Sequence, residues 1–60
     1  MRVIIIEDEK PAAEKLQKAL LNSDFSIEVL AVLPSIKESV NWLGNNATPH
    51  LVFMDIELTD

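Results

Sequence analysis

Cysteine is absent from the sixty residues, and glycine occurs once. Without cysteine there is no disulfide framework, thiol nucleophile or thiolate zinc site. A reducing compartment is consistent with that absence. Gly44 is the single glycine, so no glycine-rich phosphate loop exists. Basic residues are also few. Five Lys and Arg stand against ten Asp and Glu, for a net charge of −5. Phosphate contacts need Lys and Arg, so this segment is not expected to hold nucleic acid itself. A cation, or a partner with a basic surface, suits it better. Long apolar runs are lacking too. The opening Val3–Ile6 is too short for a signal-peptide core, and Glu7 follows at once. Nothing approaches the roughly 20 apolar residues of a transmembrane helix. The expectation is a soluble, cytoplasmic chain with no membrane contact.

What is present is a globular composition, 48% apolar and 25% charged. The length allows at most one small domain. Val3–Ile6 is a continuous β-branched run, the pattern of a strand covered on both faces. From about Lys10 to Asn22, Ala13, Leu16 and Leu20, with Ala12 and Ala19, fall at helical spacing. Pro11 lies in the first turn, where its missing N–H is harmless. Asn22-Ser23-Asp24 is a stop signal. Ile27–Leu33 reads as a second strand. Ser35-x-x-Glu38 is a capping box, opening a helix expected to bury Ile36, Val40 and Leu43. Gly44, Asn45 and Asn46 are expected to end that helix. Thr48-Pro49 leads into a third strand from about Leu51 to Met54. The order βαβαβ implies right-handed crossovers and parallel strands. The chain stops at Asp60 in what reads as a loop, so a piece of a longer protein is expected.

Two apolar runs end on carboxylates. Glu7 and Asp8 follow the first strand, and Asp55 and Glu57 follow the third. Ligands of an open parallel sheet bind outside the C-terminal strand ends. If strands one and three are neighbours, these acids converge. Two carboxylates about 4 Å apart repel by roughly 4 kcal/mol at an effective dielectric near 20. Such a cluster takes up protons or recruits a hard divalent ion such as Mg²⁺. Each acid also has a plainer role open to it. Asp8 could favour a helix N-terminus, Glu7 and Glu9 could be solvated, and Asp55 could be a turn residue. His50 lies at the opposite end of the third strand and reads as a solvated loop residue. Trp42 reads as packing. No serine or cysteine nucleophile with a histidine base can be argued.

The stretch RVIIIEDEKPAAEKLQKAL followed by PHLVFMDIEL closely resembles the start of a response-regulator receiver domain of bacterial two-component signalling. It is most similar to receivers joined to a LytTR-type DNA-binding domain. The resemblance spans all sixty residues and covers the N-terminal half of such a domain. It implies an α/β, flavodoxin-like (CheY-like) doubly wound parallel sheet, truncated to βαβαβ with strand order 2-1-3. It implies that Asp55 accepts a phosphoryl group from a sensor histidine kinase. Asp8 would be the direct Mg²⁺ ligand, Glu7 would hold the ion through water, and Asp55 and the Glu57 backbone carbonyl would complete the set. The family often has Asp where Glu7 stands. The chain would be a phosphoryl acceptor rather than an enzyme, touching DNA only through an output domain outside these residues. The family also uses a Ser/Thr and a Lys at later strand ends, positions not contained here, so weak Mg²⁺ binding and poor phosphorylation are expected of the sixty residues. Self-association through an exposed third strand is expected as well. Other readings are a Toprim-like Mg²⁺-dependent phosphoester enzyme using Glu7, Asp55 and Glu57, and a receiver-like interaction domain that works without phosphorylation.

Overall fold

The computed structural model describes residues 1–23 and 25–54. Five elements follow one another: β1 (Arg2–Ile6), α1 (Lys10–Leu21), β2 (Glu28–Leu33), α2 (Ile36–Asn45) and β3 (Leu51–Met54). The strands form one parallel sheet in the order β2-β1-β3. This is the truncated flavodoxin-like arrangement expected from the sequence. The first step along the chain goes from β1 outward to β2. The second goes back across the sheet to β3. Right-handed crossovers in opposite directions put α1 and α2 on opposite faces.

The central position of β1 explains its composition. Val3, Ile4 and Ile5 are wholly buried and Ile6 nearly so, because both faces of the middle strand are covered. The ladder to β2 shifts register between Val3 and Ile4, skipping Leu30. The ladder to β3 runs without a break from Val3 opposite Leu51 to Ile6 opposite Met54. Both ladders keep the C-terminal strand ends level. Among the described residues no helix is long and apolar enough to cross a membrane.

Helix α1 begins after Glu9, whose side chain makes no capping bond, and carries Pro11 in its first turn as expected. Ala13 is its one buried residue, while Leu16 and Leu20 are half-buried. Ala12 and Ala19, placed with the apolar set by spacing, are exposed. At the far end the Ser23 hydroxyl donates to the Leu20 carbonyl at 2.7 Å, satisfying an acceptor the helix leaves open.

Helix α2 starts as its capping box indicates, with Ser35 Oγ accepting the Glu38 N–H at 3.1 Å. Its packing face differs from the expected one. Val40 is 65% exposed and Leu43 40%, whereas Ser39 is 3% exposed. The inward line is the buried Ser39 with the half-buried Ile36 and Trp42, rotated by about 100° from the Val40 line. A small residue lets the helix approach β2 closely. Its hydroxyl is satisfied by donating to the Ser35 carbonyl at 2.7 Å, which removes the penalty of burying it. The helix ends within the expected Gly44-Asn45-Asn46 stretch, with Asn46 as its cap. It continues through Asn45 with no glycine at positive φ. The asparagine side chains close it instead. Asn45 Nδ2 donates to the Asn41 carbonyl at 2.8 Å and Asn46 Nδ2 to the Trp42 carbonyl at 2.9 Å, taking up carbonyls that glycine-type caps would otherwise satisfy.

Candidate functional site

The acids after β1 stand where the sheet ends. The Glu7 N–H donates to the Leu33 carbonyl at 2.9 Å, carrying the β1–β2 ladder one rung past Ile6. Glu7 is thereby fixed at the C-terminal edge and is half-buried. Its Oε1 accepts the Glu9 N–H at 3.1 Å, so one carboxylate oxygen braces the loop that leads into α1. Asp8, between them, is exposed. The reason is local: β1 must stay extended to pair on both sides, and the chain turns only after its last ladder bond.

Two shallow clefts flank Glu7. One, of about 300 Å³, is lined by Ile6, Glu7, Leu16, Phe53 and Met54. The other, of about 360 Å³, is lined by Glu7, Asp8, Lys10, Ala13, Val32 and Pro34. Glu7 therefore forms a ridge between a mainly apolar hollow beside β3 and a hollow beside β2 that also carries Asp8 and Lys10.

The register brings the two acid-bearing strand ends together. Ile6 pairs with Met54, so Glu7 and Asp8, which follow β1, share an edge with the exit of β3. Asp55 and Glu57 lie outside the described residues. Among the described residues no group of three or more His, Asp or Glu side chains is placed to hold a metal. The donors present at the edge, two carboxylates, are the hard oxygen ligands that Mg²⁺ takes. They match the ion in kind and fall short of a complete set.

His50 has a place that its sequence context did not reveal. It is exposed and in a loop, as expected. Its backbone N–H donates to the Arg2 carbonyl at 2.8 Å, and its Nδ1 accepts the Arg2 N–H at 2.8 Å. No motif or spacing marks this, because the bond joins residues 48 positions apart.

Order 2-1-3 with carboxylates at the C-terminal edge defines the class, a flavodoxin-like doubly wound α/β module. An uncharacterized response regulatory protein of Yersinia pestis is 36% identical over 58 residues, 97% of this chain and 24% of that protein. The fold and this likeness together support reading the chain as a segment of a response-regulator receiver. It spans about a quarter of that relative's length, 24%. No family model and no solved structure matches the chain.

Proposed function

We propose that the chain is the metal-holding and phospho-accepting N-terminal half of a receiver domain. A response regulator in general has a sensor kinase as its partner, and here that partner would be a histidine kinase. The single observation that carries the reading is the pairing of Ile6 with Met54, since it levels the strand that precedes Glu7 and Asp8 with the strand that precedes Asp55. An Asp55 carboxylate oxygen attacks phosphorus, the P–N bond to the kinase histidine breaks, and an acyl phosphate forms. Asp8 would hold Mg²⁺ directly and Glu7 through water, and Asp55 and the Glu57 carbonyl would complete the set. Bound there, the ion would offset the charge on the transferring oxygens. Glu7 is braced for an outer role by its bond to the Glu9 N–H, while the exposed Asp8 is open to a ligand. The added charge then biases an output surface, and a DNA-binding output domain fits the resemblance. The setting would be cytoplasmic.

Phosphotransfer from a sensor kinase to a protein carrying this chain is expected to vanish in Asp55→Asn. In Asp8→Asn it is expected to fall on the order of 100-fold, the usual effect of losing one group that stabilises transition-state charge. Undiminished labelling of Asp55→Asn would sink the reading. The sixty residues alone should label slowly with acetyl phosphate, because the hydroxyl and Lys positions of the family are not among them.

A further inference from the structure

We infer that His50 is a pH-sensitive register lock that fastens the start of β3 to β1. The inference concerns strand pairing and stands apart from the phosphoryl-transfer reading. Strand β3 contributes four residues to its ladder. A slip of one residue would turn every side chain of the strand to the other face. It would also displace the C-terminal end of β3 by about 3.3 Å relative to Glu7 and Asp8. His50 adds a further pair of bonds at the opposite end. Its N–H donates to the Arg2 carbonyl and its Nδ1 accepts the Arg2 N–H, both at 2.8 Å. Arg2 is held on its other side by its pairing with Glu28 on β2. The imidazole thus takes the place of a backbone carbonyl.

A nitrogen that accepts cannot carry a proton. The bond requires the neutral imidazole with its hydrogen on Nε2, and the doubly protonated ring offers no acceptor. Histidine is the side chain suited to such a change in the mildly acidic range. Protonation also turns the acceptor into a donor facing the Arg2 N–H, so the lock is converted into a repulsion. The other ionisable groups at this end of the sheet, among the described residues, are the Met1 ammonium, the Arg2 guanidinium, Glu28 on β2 and Lys18 in the last turn of α1. The Met1 ammonium donates to the Ser26 carbonyl at 2.6 Å, and Lys18 is the basic residue of that turn. None of them replaces the acceptor.

The test is made on the chain with ¹⁵N labelling. At neutral pH a scalar coupling across the hydrogen bond, from the Arg2 amide nitrogen to His50 Nδ1, is expected, together with the Nε2–H tautomer. Both should disappear on acidification, because a doubly protonated ring offers no acceptor. Amide exchange at Arg2, compared at each pH with the unprotected rate, should lose roughly two- to tenfold protection over the same range. His50→Asn keeps an acceptor oxygen at the Nδ1 position without titrating, so its Arg2 protection should hold at both pH values. His50→Ala should be unprotected at both. An Nδ1–H tautomer or a missing coupling at neutral pH overturns the lock, with no variant needed. Equal pH dependence in wild type and His50→Asn overturns its pH sensitivity.

Discussion

At the scale of single residues, stability rests on very few side chains. Ile4 is 0% exposed in the middle of the central strand. Truncating such a residue costs about 2–5 kcal/mol. A domain of this length has about 3–9 kcal/mol in total. Ile4→Ala is therefore expected to abolish a cooperative urea transition or shift it to near zero denaturant. Val40→Ala is the contrasting case. Its side chain is 65% exposed, so the change should stay within about 0.5 kcal/mol. A large loss in Val40→Ala would mean that α2 packs by the Val40 line after all. The contrast also marks what could be read in advance. The β-branched run of β1 announces burial on both faces, because few other settings tolerate it. The inner face of α2 was not legible. Two candidate lines, one through Ser39 and one through Val40, differ by a single residue, and hydrophobicity alone favours the wrong one.

At the scale of elements, the ends of the helices carry the chemistry of the backbone. The serine half of the capping box forms as its spacing requires. The other end of α2 is closed by asparagine amides, with Gly44 inside the last turn. A Cβ built on Gly44 meets nothing within 4 Å. Gly44→Ala is therefore expected to stabilise the chain by about 0.5–1 kcal/mol, since glycine in a helix loses more backbone freedom on folding. A thermal melt should rise by several degrees, at about 4–8 °C per kcal/mol for a domain of this size. A falling melting temperature would indicate that the helix stops at Gly44 in a left-handed turn.

At the scale of the whole molecule, β3 is the conspicuous surface. Leu51, Val52 and Met54 are each 42–53% exposed. Among the described residues no strand pairs with its outer edge. On the α1 side an apolar cleft of about 430 Å³ runs past Leu20, Phe25, Leu51 and Phe53. Unpaired edges with apolar side chains template further strands. Two copies joined by β3 about a two-fold axis would make one continuous sheet. Association should grow with concentration in sedimentation. It should strengthen with salt, which screens the −5 charge of each copy. Val52→Lys, a charge on the edge strand, should weaken it. A monomer unchanged at high concentration and high salt would exclude this mode.

The sequence by itself determined the order of the elements, the parallel sheet and the candidate acids Glu7, Asp8, Asp55 and Glu57. Those features are written in local periodicity, in capping residues and in apolar runs that end on carboxylates. Tertiary structure alone decided the rest. It seated Ser39 rather than Val40 against the sheet, levelled Ile6 with Met54, and joined His50 to Arg2. Each depends on which distant backbone comes within bonding distance, and no local pattern encodes that distance.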